Sequence, residues 1–356
     1  MPAAFLTSPV LGQLADLALW EADPRAVESC LVSRLEQVPD RRGRGGLRHP
    51  LRVVLVLTAC ATLVVGSDSV TAIWQWAARA SQDVLERIGA RRDPLLGRFT
   101  VPSERTFRRV LADLDADALD LATCGYAADV VRGTAPAPVI PRTPGPGERE
   151  ERRAAQRAAG HPAPAGLLPG VAVDGKALRG ARAGSGRVFT PLARKAAQAL
   201  LAGTDAEFEE TTAIEDDRGH ARTERRTLRT APTDDTLFPA ARQVFRLRRD
   251  TGGRDGAWTS KEIVLGVTSL PSSLAGPEHL NYHQRKHWSV ENRLHWVRDA
   301  TFHEDNSQLR TGTAPRALAS FRNLGINAFR LGGRANIAHA RRDLLNHNDA
   351  FAVYGI

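Results

Sequence analysis

The sequence is poor in cysteine and has no apolar stretch long enough to cross a membrane. Its three cysteines, Cys30, Cys60 and Cys124, are widely spaced and include no C-x-x-C pair, which excludes a disulfide framework and a cysteine zinc site. The most apolar run, residues 51–66, contains Arg52 and is shorter than the ~20 residues that a bilayer requires. No signal peptide is evident at the N-terminus. We therefore expect reduced thiols, no membrane anchor and a cytoplasmic protein.

Acidic residues are too few to balance the basic ones. The 356 residues include 49 Lys and Arg against 40 Asp and Glu, so the net charge is +9 and the isoelectric point about 10.2. Such a charge favours a polyanion partner, nucleic acid first. A genomic preference for arginine over the scarce lysine would produce the same excess, so charge alone leaves two explanations open. With 42% apolar and 25% charged residues, the chain is expected to be largely globular and can form two domains.

Helical patterns dominate residues 1–132. The apolar run 51–66 predicts a core helix, and SVTAIWQWAARA (69–80) continues it or packs beside it. In the next segment Ser103 is a suitable N-cap, and an apolar stripe recurs at i, i+3, i+4 and i+7: Phe107, Val110, Leu111 and Leu114. Three arginines lie mostly off this stripe: Arg105, Arg108 and Arg109. They form either a DNA-facing surface or a solvated basic face.

The composition changes at residues 133–168, which are rich in proline, glycine, alanine and charge. This stretch predicts a linker that contains one short helix around Glu148–Ala159. A second domain, 169–356, begins at the strand LPGVAVDGKALRG and mixes strands with helices. Two further strands are predicted at 221–230 and 261–271.

A long helix is predicted for HLNYHQRKHWSVENRLHWVRDATF, and a further one begins near Pro315. In the long helix His283, His287, Glu291 and His295 are four residues apart and share one face. This spacing fits a zinc site built from His and Glu, although the H-E-x-x-H of zinc proteases is absent. It also fits a single catalytic carboxylate with polar neighbours, or histidines that merely flank a core face.

The same helix carries a longer motif. RKHWSVENRLHWVRDATFHED is similar to the C-terminal signature of the ISAs-type, or H-repeat-associated, transposases of bacterial insertion sequences, roughly R-x-H-W-x-[IV]-E-N-x-L-H-W-x-x-D-x-x-F-x-E-D. VAVDGKALRG (171–180) resembles the D-G-K-x-L-R-G of that family, and DRGHARTE (217–224) resembles its D-R-G-H-G-R-x-E. The helical N-terminal part resembles the domain associated with the same family. The resemblance covers most of the chain except the linker.

The resemblance implies an α+β or α/β chain with a helical DNA-binding domain at 1–132 and an RNase H-like DDE catalytic domain at 169–356. In such enzymes three carboxylates hold two Mg²⁺ or Mn²⁺ ions, which support cleavage and transfer of DNA strands at the ends of the element. Asp174 would be the first carboxylate and Glu291 the last, both as metal ligands. Four basic residues would contact phosphates: Lys176, Arg179, Arg285 and Arg298. The partner would be element-end DNA, with a homodimer as a further assembly.

The middle aspartate of the family pattern is missing. Only about forty residues separate Lys176 from Asp217, and VFTPLARKAAQALL within them resembles a segment that follows that aspartate in the family. We interpret this as an internal deletion near Arg187 that truncates the RNase H-like domain. Asp205 is the weak remaining candidate for the middle position. We therefore expect impaired or lost cleavage, and the alternative function is that of a non-catalytic DNA-binding remnant or repressor of the element.

Overall fold

The computed structural model groups the chain into two compact units. One spans Met1–Gly160 with Leu294–Ile356, and the other spans His161–Arg293. The units do not coincide with the predicted domains, because the C-terminal segment belongs to the helical unit. The residues that the structure describes are 30–43, 47–66, 68–142, 147–159, 163–167, 197–202, 212–219, 222–233, 241–253 and 257–356.

The α-helices follow the predicted pattern closely in the first half of the chain. In chain order, α1 to α11 are Leu31–Glu36, Leu51–Leu63, Val70–Ala77, Gln82–Arg87, Glu104–Ala112, Ala116–Arg132, Glu148–Ala159, Pro277–Val290, Ala314–Leu331, Ile337–Arg342 and Asp349–Ala352. Ser103 caps α5, because its side chain accepts a hydrogen bond from the backbone N–H of Thr106 at 3.4 Å. The four apolar residues of the predicted stripe are buried, which confirms the predicted face of α5.

Helix α2 is the centre of the helical unit. Every residue of α2 except Arg52 is buried, and α9 packs against both α2 and α6. Arg341 of α10 donates hydrogen bonds to the carbonyls of Leu63 and Val64 at 3.1 and 2.6 Å, and so satisfies backbone acceptors at the end of α2. The C-terminal helices therefore complete the core that the N-terminal helices begin.

The described part of the predicted linker is packed rather than extended. Ile140 is buried in the core of the helical unit, and Arg334 donates to the carbonyl of Pro141 at 2.7 Å. Helix α7 matches the predicted short helix, and its Glu151 accepts the backbone N–H of Ala335 at 2.5 Å. These contacts tie Ile140, Pro141 and Glu151 to the helical unit and its C-terminal segment.

The second unit contains a four-stranded antiparallel sheet in the order β1-β2-β3-β4. The strands are Thr212–Gly219, Arg222–Pro232, Gln243–Gly253 and Trp258–Thr268. Strands β2 and β4 confirm the two predicted strands, whereas β3 was not predicted. A small core that includes Leu228, Leu247 and Leu280 packs α8 against one face. The RNase H-like arrangement stays a prediction.

No helix among the described residues is both long enough and apolar enough to cross a membrane.

Candidate nucleic-acid interface

The predicted catalytic carboxylates are not placed by the structure. Asp174 and Asp205 lie outside the described residues, as do Lys176 and Arg179. Glu291 begins a π-helical segment, Glu291–His295, directly after α8. The structure describes the backbone of Glu291 but not its side chain. A meeting of Asp174 and Glu291 at one metal site therefore stays a prediction.

Arg285 lies in a polar network between α8 and the sheet. Its Nη1 is 3.2 Å from Glu215 Oε1 on β1. The side-chain amide of Asn281 donates to Glu215 Oε2 at 2.8 Å and accepts from Arg226 Nε at 3.2 Å. Because Arg226 and Asn281 are buried, the network fixes α8 on the sheet. This contact gives Arg285 a local structural role alongside the predicted phosphate contact.

Arg298 occupies a different environment from the one predicted. Its side chain is buried, and its Nη2 is 2.6 Å from Glu304 Oε2. Glu304 also pairs with Arg322, whose Nη1 is 3.0 Å from Oε1. A guanidinium enclosed in this buried triad does not face a DNA phosphate. The structure therefore replaces the predicted DNA contact of Arg298 with a role in the core.

The zinc interpretation of the long helix gains no support. His287 is exposed, His283 is partly buried and His295 is buried. Across the described residues there is no group of three or more His, Cys, Asp or Glu side chains that could hold a metal ion.

Helix α5 presents an exposed basic face. All three predicted arginines, Arg105, Arg108 and Arg109, are exposed. Arg108 is partly neutralised, because its Nη2 lies 2.6 Å from Glu104 Oε1 and donates to Thr71 Oγ1 at 3.0 Å. Within the described part of the chain, Arg105 and Arg109 form no ion pair. Both interpretations of this face, a DNA-facing surface and a solvated basic face, are compatible with this exposure.

A cavity of about 390 Å³ connects this helix with the loop before α2. Three arginines line it, Arg41, Arg42 and Arg109, together with two carboxylates and three apolar residues: Asp40, Asp113, Leu51, Val110 and Leu114. Arg41 pairs with Asp115 at 2.6 Å, and Arg42 pairs with Asp40 at 2.7 Å. The first two arginines are therefore held in place, whereas Arg109 carries charge without a carboxylate partner in the described residues.

His49 marks the point where further arginines converge. Arg42 donates to the His49 carbonyl at 2.9 Å. The pKa of the His49 imidazole lies below its ordinary value, first because the ring is buried and then because Arg48, Arg91 and Arg42 are close. Three chain segments thus bring their positive charges together. We call the exposed and half-exposed members of this group the basic surface and define it as Arg41, Arg48, Arg91 and Arg109; the Arg42 side chain is 8% exposed and paired with Asp40.

Sequence reasoning missed most of the basic surface. Only Arg109 was predicted, from the periodicity of α5. Two segments, RRGRGGLRHP (41–50) and RRDPLLGR (91–98), carry arginines beside turn residues. This pattern indicates exposed positive charge and could have identified the missed arginines. Their convergence nevertheless depends on tertiary packing.

The depressed pKa of His49 predicts a pH dependence of stability. Because the folded-state pKa of His49 is below 6.5, the neutral imidazole makes its full contribution to the free energy of unfolding above pH 6.5. It is lost as the pH falls from 6.5 through the lower folded-state pKa, since the unfolded chain binds the proton first. We expect the free energy of unfolding, measured by urea denaturation, to fall over this window. His49→Gln should remove that part of the slope, and an unchanged slope would contradict the assignment.

The matched family model is described as "DDE_Tnp_1-associated" and covers residues 32–127. Two proteins of Escherichia coli (strain K12) are similar to this chain: the "H repeat-associated putative transposase YhhI" and the "Putative protein YbfL". Each is 35% identical over 65 residues. This chain is related to the DDE transposases of insertion sequences. The matched segment spans 17% of this chain and 17% of each relative, and no solved structure matches.

The family relationship inferred from the motifs is thus confirmed. Residues 32–127, the transposase-associated domain, include α2, α5, all but the first residue of α1 and every arginine of the basic surface. The basic surface therefore lies within the segment that the family model matches.

Proposed function

We propose that this chain is an insertion-sequence transposase that binds element-end DNA through the basic surface of its transposase-associated domain. The observation that carries the proposal is the convergence of arginines from three chain segments around His49 and the cavity beside α5. Guanidinium groups match phosphate geometry and provide the sequence-independent part of DNA affinity. Arg105 lies on the same exposed helix and adds to this charge.

The catalytic part of the proposal rests on the motif resemblance. Asp174 and Glu291 supply carboxylate oxygens, which suit Mg²⁺. Two-metal cleavage in this family takes three carboxylates, however, and the chain offers only Asp205 as a weak third. This donor set does not fit a complete two-metal site. We therefore propose an RNase H-like domain in which DNA cleavage is impaired or lost.

DNA cleavage and binding by the full chain test this proposal together. The substrates are duplexes from the DNA on either side of the coding sequence, with Mg²⁺ or Mn²⁺. We expect salt-sensitive binding, at most weak nicking, and unchanged binding for Asp174→Asn. Robust cleavage that survives Asp205→Ala would show that the account of the missing carboxylate is wrong. Absence of DNA affinity at low salt would overturn the proposed function itself.

The missing aspartate also favours a second candidate function, a non-catalytic protein that occupies the element ends as a repressor. It predicts the same binding with no metal-dependent nicking at all. If the wild-type chain nicks DNA and the Glu291→Gln variant does not, the transposase function is supported over the repressor function.

A further inference from the structure

A tight loop in the transposase-associated domain carries two leucines at its tip. Asp93 Oδ1 accepts the backbone N–H groups of Leu95 and Leu96 at 2.9 and 3.1 Å. The backbone N–H of Asp93 donates to the carbonyl of Arg98 at 2.8 Å, which closes the loop. Gly97 has a φ of +64°, a conformation that favours glycine. The loop is therefore held by its own hydrogen bonds.

The base of this loop is anchored to the helical unit. The side chain of Gln82 on α4 donates to the Phe99 carbonyl at 3.2 Å and accepts the Phe99 N–H at 2.7 Å. Thr100 donates both its N–H and its hydroxyl to the carbonyl of Arg91, at 2.9 and 3.0 Å. Phe99 itself packs against the main core. The tip consequently projects from a fixed base.

Both leucines are exposed, and Leu95 is the most exposed of the large apolar residues that the structure describes. Leu95 is 95% exposed and Leu96 is 60% exposed. We call these two residues the leucine tip. Arginines stand on both sides of it in the chain: Arg92 and Arg98 are exposed, and Arg91 belongs to the basic surface. An apolar tip that arginines flank along the chain is suited to a partner with an apolar interior and a negatively charged exterior.

We propose that the leucine tip is a wedge that enters a groove of bound DNA and packs against partly unstacked bases. This inference rests on the proposed function and adds the manner of binding. Proteins that distort DNA insert leucine and similar side chains between base steps, while neighbouring arginines bind phosphates. In this proposal Arg98 and Arg92, whose Nε donates to the Gly97 carbonyl at 3.2 Å, bind phosphates beside the groove. The closed loop lowers the ordering cost of insertion, because it is already fixed before DNA arrives.

The test combines affinity with a signal for base unstacking. The full chain is titrated into short duplexes from the DNA that flanks its coding sequence, with 2-aminopurine at successive positions. We expect a rise in 2-aminopurine fluorescence at a small number of adjacent positions. The double variant Leu95→Ser/Leu96→Ser should abolish this rise and weaken binding by roughly tenfold for each leucine, because burial of a leucine side chain is lost.

Leu345→Ser is the matched control, since Leu345 is 73% exposed in the same compact unit. It should change neither the fluorescence rise nor the affinity. Arg92→Ala/Arg98→Ala should keep the fluorescence rise and lower the slope of log affinity against log salt by about 1 for each arginine. Thermal unfolding of each variant shows whether the fold is retained, and exposed positions of this kind are expected to leave it unchanged.

The outcomes separate this inference from the proposed function. If the wild-type chain binds none of the duplexes, both are overturned. If it binds and the double leucine variant gives the same affinity and the same fluorescence rise, only the wedge is overturned. If the double variant instead changes the oligomeric state and leaves DNA binding intact, the leucine tip is a protein contact, and the wedge is again overturned.

Discussion

Replacing Glu304 by glutamine is expected to lower the free energy of unfolding by about 3–5 kcal/mol. Glu304 is buried between Arg298 and Arg322, at 2.6 and 3.0 Å. Burial lowers the pKa of Arg322, and the charge of Glu304 opposes that change. A neutral amide would leave two buried guanidinium groups without this counter-charge. Urea denaturation of the full chain, followed by circular dichroism, measures the loss.

Glu36→Gln provides the control for this change. Glu36 also pairs with an arginine, Arg52, but its side chain is 43% exposed, so water screens the pair. Removing its charge should alter the free energy of unfolding by less than about 1 kcal/mol. An equally small effect for Glu304→Gln would contradict the buried triad and would return Arg298 to the candidates for DNA contact.

Replacing three arginines of the basic surface should weaken DNA binding more than any other surface change. For Arg48→Ala/Arg91→Ala/Arg109→Ala we expect a loss on the order of a thousandfold, since each charged contact contributes about 1.4 kcal/mol, or tenfold. The slope of log affinity against log salt should fall by about 3. Fluorescence anisotropy over a salt series measures both quantities.

A variant of equal charge change serves as the control. Arg152→Ala/Arg153→Ala/Arg342→Ala removes three exposed arginines of the same compact unit, from α7 and α10. This control variant should retain most of the affinity for DNA. The small loss that remains should reflect only the lower net positive charge of the chain. Equal losses in the two triple variants would mean that DNA responds to net charge and that the basic surface is not the binding site.

The sequence predicted the elements whose signals are local. Helix α5 was predicted because its apolar residues recur with helical spacing and Ser103 precedes them as a cap. Strand β3 was not, although Phe245 and Leu247 alternate along it, because the intervening positions are arginines and the buried face is visible only once α8 covers it. Helices α9 and α10 were expected in the catalytic domain, yet Arg341 completes the end of α2.

The candidate interface was likewise predictable only where a local sequence pattern determines which way a residue faces. Helical periodicity alone placed Arg105 and Arg109 on an outward face. The approach of Arg48 and Arg91 to His49 depends on how the loop before α2 meets the segment after α4, which no local pattern specifies. Arg298 shows the opposite case. It lies close to the predicted catalytic motif in the sequence, yet its side chain is buried against Glu304, a contact that the motif does not predict.

Hydrogen exchange of the full chain with and without element-end DNA tests the central claim most directly. If the basic surface of the transposase-associated domain holds DNA, amides in residues 47–50 and 91–112 should exchange more slowly in the complex. The remaining helices of that unit should change little. Protection confined to other parts of the chain, with residues 91–112 unaffected at saturating DNA, would contradict the account.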